Sequence, residues 1–245
     1  MNEAVIVICT RPDSKRLPGK AFLPIAGVPA IEHILNRLKA CGIPVILAVP
    51  TDCKMYDHLP EKFKPELDIR IFQGNPESPL HRMHAAIVDL EMKIGWVIRI
   101  THDDLLIDQW TMLTLLEKAK AEPDVGYAIS PSIVDGAGVE VFRFENLEYA
   151  VQHRQEPTEY ISYFVKNQPF SRQLVIEPRA SIKRDYRMTM DYPEDATLLE
   201  LVLRNVGASA DLDAVVSFVD SHPYVMEINK LPTYSIYMCA YNAAR

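Results

Sequence analysis

The first apolar stretch, residues 4–9 (Ala-Val-Ile-Val-Ile-Cys), has no polar interruption, which predicts a strand buried on both faces. In residues 30–41 the apolar positions recur instead at Ile31, Ile34, Leu35 and Leu38, one face of a helix, with Pro29 where a first turn tolerates proline. The alternation continues with strands over 45–49, 69–72 and 96–100 and helices over 53–62, 80–92 and 107–120. Beyond residue 130 it loosens into a strand at 139–144, helices at 147–153 and 158–167, and strands at 174–176 and 187–190. Helices at 194–204 and 211–221 close the pattern. Strand and helix in turn predict an α/β fold, a mostly parallel sheet with helices on both faces. No Gly/Ser-rich linker or internal repeat divides the chain, so one domain is expected over residues 1–245. Within it fall a first half over about 1–130, an insert over about 131–190, and closing helices with a tail over about 191–245.

Sheets of this kind bind ligands at the carboxyl ends of their strands, which directs attention to the loops after Cys9 and Ile100. The first loop, TRPDSKRLPGK over residues 10–20, crowds Arg11, Lys15, Arg16 and Lys20 onto a backbone shaped by Pro12, Pro18 and Gly19. Cations and backbone amides converging at the start of the next element suit a polyphosphate; a solvated basic turn is the alternative that spacing alone leaves open. The chain as a whole carries a formal net charge of −7, so the cluster is local. That balance argues against nucleic acid or an anionic membrane as partner. Gly19-Lys20 is followed by Ala21, and no G-x-G-x-x-G follows the strand, which disfavours two common nucleotide-binding loops. Four cysteines, Cys9, Cys41, Cys53 and Cys239, form no C-x-x-C pair and are expected to be reduced thiols. With no basic segment ahead of the first apolar run and no run of membrane-spanning length, a cytoplasmic protein is expected.

Residues 11–20 (Arg-Pro-Asp-Ser-Lys-Arg-Leu-Pro-Gly-Lys), followed by Ile25-Ala26-Gly27-Val28-Pro29, resemble the A-R-x-x-S-x-R-L-P-G-K signature of cytidylyltransferases acting on acidic sugars. That group includes the 3-deoxy-manno-octulosonate and acylneuraminate enzymes and, with the nearest likeness, the spore-coat polysaccharide biosynthesis F type. Ile98-Arg99-Ile100-Thr101-His102-Asp103 with Leu106-Ile107-Asp108 is similar to the R-I-T-x-D-x-P-L-I-D of the spore-coat branch. Met188-Thr189-Met190-Asp191-Tyr192-Pro193-Glu194-Asp195 is similar to its L-T-V-D-x-P-E-D. Weaker likeness lies at Gly138-Val139-Glu140-Val141-Phe142 and Glu159-Tyr160-Ile161. The resemblance implies a nucleotide-diphospho-sugar transferase (GT-A-like) fold, with a nucleotide-binding first half and an insert serving the acceptor and dimerisation. It implies Mg²⁺-dependent transfer of CMP from CTP to a sugar acceptor, giving a CMP-sugar and pyrophosphate for polysaccharide or glycoconjugate biosynthesis, by a homodimer. By the same resemblance Arg11, Ser14, Arg16, Gly19, Lys20, Gly74 and Arg82 bind nucleotide, Arg11, Lys20 and Asp103 are catalytic, and Asp103 and Asp191 hold the metal.

Each assignment has a plainer counterpart. Asp103 and Asp191 could each cap a helix, and Arg82 could be a solvated helix cation. The chain departs from the spore-coat pattern at Asp104-Leu105, where Cys-Pro is usual, which puts acidic-sugar specificity in doubt, and at Tyr160, where relatives often carry His. Asp104 and Asp108 are candidates for the general base by position. His81 and His84 have a metal-compatible spacing without an evident third ligand, and a surface or interface role is expected of them. Asp211-Leu212-Asp213 has the D-x-D form of metal-dependent glycosyltransferases but opens an apolar helical pattern, where capping is expected. A glycosyltransferase of the same fold and a non-catalytic nucleotide-sugar binding domain are the alternative functions. The aromatic tail, Tyr224, Tyr234, Tyr237 and Tyr241, is expected to pack or form an interface.

Overall fold

In the computed structural model, which describes residues 3–230 apart from 13, 40, 155 and 159, the first strand is apolar throughout because both its faces are covered. Val5 and Val7 pack with one layer of helices, Ile6 and Ile8 with the other. In chain order the elements are β1 (Glu3–Cys9), β2 (Pro24–Ile25), β3 (Val28–Pro29), α1 (Ala30–Leu38), β4 (Val45–Pro50), α2 (Leu59–Phe63), β5 (Ile69–Gly74), α3 (Pro79–Val88) and β6 (Ile94–Thr101). There follow α4 (Gln109–Ala121), β7 (Val125–Ile129), β8 (Glu140–Arg143), α5 (Phe144–His153), α6 (Ile161–Lys166), β9 (Arg172–Val175), α7 (Pro193–Val206) and α8 (Leu212–Ser221).

The main sheet has the order β5-β4-β1-β6-β8-β7-β9, and β2 and β3 form a separate hairpin. Only β8 among these seven strands runs against the others. The loops after β1, β6 and β7 therefore open at one edge, where β8 also begins. Apolar residues of α1, α2 and α4 cover one face; those of α3, α5 and α6 cover the other. A third apolar cluster lies under the site loops and holds Leu17, Leu105, Leu106, Val134, Met188 and Met190 against α7 and α8.

Two sequence expectations are corrected, and one strand was not foreseen. The helix expected at 53–62 is confined to Leu59–Phe63, since Pro60 is tolerated only in a first turn. The strand expected at 187–190 is an isolated bridge from Arg187 to Asp135; its backbone bonds go to loops (Met188 N to Asp135 O, 2.8 Å; Met190 N to Asp103 O, 2.9 Å). The strand β7 was not anticipated. Among the described residues no helix is long and apolar enough to cross a membrane. Cys9, Cys41 and Cys53 are free thiols, while Cys239, Tyr234, Tyr237 and Tyr241 lie outside the described residues.

Candidate active site

The basic loop is folded on itself. The Pro12 carbonyl accepts from the Ser14 and Gly19 amides (3.1 and 3.3 Å), and Ser14 Oγ accepts from the Leu17 amide (3.3 Å). Leu17 is buried in the third apolar cluster, and this anchors the loop while Arg11, Ser14, Lys15 and Arg16 line a cavity of about 440 Å³. Gly19 adopts φ 69°, a left-handed conformation open to glycine at little cost, and passes the chain into a 3-10 turn at Lys20–Phe22. That turn buries Lys20, 5% exposed, and aims its ammonium back into the cavity.

Two carboxylates meet it there. Lys20 Nζ donates to Asp103 Oδ2 (2.8 Å), Asp191 Oδ1 (3.2 Å) and the Met190 carbonyl (3.3 Å). Asp103 follows β6, whereas Asp191 is brought beside it by the backbone bond from Met190 to Asp103. Gly136 makes that approach possible. Its φ is +100°, and a Cβ there would lie 2.5 Å from the Met188 carbonyl group. Arg16 Nη2 also donates to Asp191 Oδ1 (2.7 Å), and its guanidinium sits 4.8 Å from the centre of the Tyr192 ring. Burial opposes ionisation of Asp103, but the neighbouring His102 and then the Lys20 ammonium outweigh it and the carboxyl pKa is lowered.

Behind Asp191 lies a buried hub that the sequence reading missed. Asp195 accepts from the Asp191 and Tyr192 amides (2.9 and 2.8 Å), from both terminal nitrogens of Arg187, and from Asn229 Nδ2 (2.9 Å). Its signal was the second Asp of Asp-x-Pro-Glu-Asp, read only as a helix start. The first residue of that motif, Asp191, is not the cap: Tyr192 occupies that position and α7 starts at Pro193. Nor does Asp103 cap α4, a role taken by Asp108 through the Thr111 amide (3.0 Å).

The cavity continues into two others. Arg11, His102 and Asp103 are shared with a second cavity of about 210 Å³, and Arg99 and Thr101 connect that one to a third of about 310 Å³. His102, also missed, stands at the first junction with its Nε2 buried and unpartnered among the described residues. Burial pushes its pKa down to about 4, which leaves the imidazole neutral at pH 7. Arg82 is no solvated helix cation: it is 1% exposed, and donates to the carbonyls of Ala48 (3.2 Å) and Asn75 (2.7 Å) while lining the second cavity. Gly74 ends β5 against the Phe72 ring and the Arg82 stem and lines none of the three cavities.

The other carboxylates separate by position. Asp104 lines the third cavity rather than the first, while its neighbour Leu105 is buried in the apolar cluster. Burial and the nearby Asp103 push the Asp104 carboxyl up to about 7. Asp108, bonded to Thr111 and Arg179, lines none of the cavities and is corrected as a base candidate. Asp211 caps α8 through the Ala214 amide (2.8 Å) and Asp213 pairs with Arg179, so this D-x-D is a helix start. His81 shares a hydrogen bond with Ser78 (2.7 Å), His84 stacks on Phe144, and Tyr160 is an exposed residue at the start of α6.

As a metal site the first cavity offers two carboxylates, Asp103 and Asp191, converging on one cationic point, with the His102 imidazole also in its lining. Among the described residues no group of three His, Cys, Asp or Glu could hold an ion. Mg²⁺ fits such a pair, because it commonly takes one or two carboxylates and completes its shell with phosphate and water.

Comparison with known proteins agrees with this architecture. The spore coat polysaccharide biosynthesis protein SpsF of Bacillus subtilis (strain 168) is 21% identical over 234 residues, 91% of this chain and 96% of that protein. A cytidylyltransferase structure from Leptospira borgpetersenii serovar Hardjo-bovis matches with a TM-score of 0.79 at 20% identity, covering 96% of this chain and 100% of that one. A CMP:2-keto-3-deoxy-manno-octonic acid synthetase solved with CTP matches with a TM-score of 0.60 at 19% identity, over 83% of this chain and 99% of that one. The family model described as Cytidylyltransferase matches residues 5–207, a span that takes in the basic loop, Asp103 and the segment through Asp195. The family match and the fold thus agree, and the chain belongs to the cytidylyltransferase family.

Proposed function

We propose that the protein transfers CMP from CTP to a sugar hydroxyl, giving a CMP-sugar and pyrophosphate, with Mg²⁺ held by Asp103 and Asp191. The observation that carries this reading is the convergence of Lys20, Asp103 and Asp191 on one point in a cavity rimmed by Arg11, Lys15 and Arg16. The cations take the triphosphate: arginine forks match phosphate oxygens, and Lys20 adds a point charge. The sugar oxygen bonds to the α-phosphorus, the bond to the bridging oxygen of the β-phosphate breaks, and pyrophosphate leaves with that electron pair. The hydroxyl proton passes to water in the open groove. Charge grows on the departing pyrophosphate, where Arg16 and Lys20 are already held in place by Asp191 and Asp103, so little reorganisation is needed. Bound Mg²⁺ would supply Lewis-acid neutralisation of the phosphates.

The D-x-D expected of a glycosyltransferase is a helix cap that lines none of the three cavities, which favours the nucleotidyltransferase reading. Calorimetric titration of CTP, UTP, ATP and GTP, with and without Mg²⁺, tests it. The expected result is Mg²⁺-dependent binding of CTP alone; a protein that binds none of the four is not a nucleotidyltransferase of this kind.

A further inference from the structure

The third cavity, lined by Asp104, differs in character from the first. Resting on the nucleotidyltransferase reading, we propose that it receives the acceptor, and that the acceptor is a sugar without a carboxylate, an amino sugar being bound best.

Position supports an acceptor role, since the shared residues Arg99 and Thr101 join this cavity to the one that borders Arg11 and Asp103. Its volume of about 310 Å³ is on the scale of small-molecule sites. Charge sets the class of ligand. Besides the Asp104 carboxyl, the lining holds two carboxylates, Asp135 and Glu140, against one cation, Arg99. That cation is partly engaged: Arg99 Nη1 donates to Glu140 Oε2 and to Ser162 Oγ (3.1 Å), while its Nε has no partner among the described residues. Asp104 accepts from the Thr101 hydroxyl, a neutral donor. Further out, past Asp135, Lys183 is paired with Glu177 (2.6 Å) and Arg184 with Asp220 (2.7 Å). Carboxylates are hydrogen-bond acceptors only, suited to hydroxyl and ammonium donors and opposed to another carboxylate.

An independent observation marks the cavity as a ligand site. Ser130, at the end of β7, lines it, is 4% exposed, and its Oγ has no hydrogen-bond partner among the described residues. A buried hydroxyl left unpaired is costly, and a ligand hydroxyl would satisfy it.

The test is saturation-transfer NMR on the full chain, with Mg²⁺ and a non-hydrolysable CTP analogue and again without them. The probes are a panel of neutral hexoses, glucosamine, N-acetylglucosamine and 3-deoxy-manno-octulosonate. Glucosamine and the neutral probes are expected to bind at least ~10-fold more tightly than the sugar acid, because like charges repel across a binding interface. Ser130→Ala is expected to weaken the favoured probe about fivefold, the scale of one hydrogen bond, and Asp135→Asn to narrow the discrimination against the acid. A sugar acid bound as tightly as glucosamine overturns the inference. So does a panel in which no neutral or amino sugar binds, or a Ser130→Ala protein that binds unchanged. Failure of the CTP analogue to bind in the same samples defeats the nucleotidyltransferase reading instead, and the probe comparison without nucleotide still decides the cavity.

Discussion

Lys20, 5% exposed, holds its ammonium between Asp103 and Asp191 at the wall of the cavity, where it is placed to meet charge in a bound phosphate. Lys20→Ala is expected to lower kcat about 100-fold or more, the magnitude of removing a donor aimed at developing charge. Pyrophosphate release under saturating substrates checks it, and unchanged turnover would remove Lys20 from the mechanism. Lys20, Arg11, Arg16, Asp103 and Asp191 were legible in the sequence because they sit in ordered motifs at strand ends. Asp195 and His102 lay inside the same motifs, yet what they do depends on chain far away: Asp195 on Arg187 and Asn229, His102 on the walls that bury its ring. Arg82 was misjudged for a similar reason. Helical spacing does not reveal that the Ala48 and Asn75 carbonyls stand within reach of its guanidinium.

Elements hold these side chains in place, and two of the joints are open to test. At Gly136 the loop from β7 to β8 takes a positive φ and meets the Met188 backbone, so Gly136→Ala is expected to cost about 1–3 kcal/mol in chemical denaturation. It should also lower turnover, because the same contact sets Asp191 beside Asp103. A variant as stable and active as the parent would show that the 188–191 segment is placed by something else. The second joint is His33, on α1, whose Nε2 bonds the Ile25 carbonyl of the β2–β3 hairpin (2.8 Å). Burial, with the Arg37 charge adding to it, lowers its pKa below the ordinary 6.5. The unfolded chain therefore binds the extra proton first: the contribution of neutral His33 is complete above about pH 6.5 and is lost as pH falls toward the folded pKa. His33→Asn is expected to flatten that part of the stability curve, and an unaltered slope between pH 7 and 5 would exclude His33 as its source. Strong periodicity made α1 and β1 readable. The strand β7 (Val-Gly-Tyr-Ala-Ile) was obscured by Gly126, which weakens a strand pattern and is required because a Cβ there would strike Ser171. The 187–190 segment has strand-like residues but spends its backbone bonds on two loops, a pairing that only the tertiary fold defines.

Over the whole molecule the charge is divided. A chain of net charge −7 concentrates Arg11, Lys15, Arg16 and Lys20 at one end of a continuous groove and the carboxylates of Asp135 and Glu140 at the other. The first end would attract a triphosphate through its field as well as by contact, and the other would repel it, so a nucleotide has one favourable way to lie. Such attraction is screened: the Debye length falls from about 10 Å at 0.1 M salt to about 3 Å at 1 M. The Kd for CTP is accordingly expected to rise about tenfold between 0.05 and 0.5 M NaCl, as for other electrostatically focused clefts, while that for an uncharged sugar stays nearly constant. Lys15→Ala, which removes an exposed rim cation with no assigned contact to the two aspartates, should reduce the salt slope and leave kcat close to that of the parent. Calorimetry across the salt series separates the two halves of the groove. A CTP affinity indifferent to salt would mean that the basic loop does not face the triphosphate, and a salt-sensitive neutral sugar would mean that the acidic end is not where it binds.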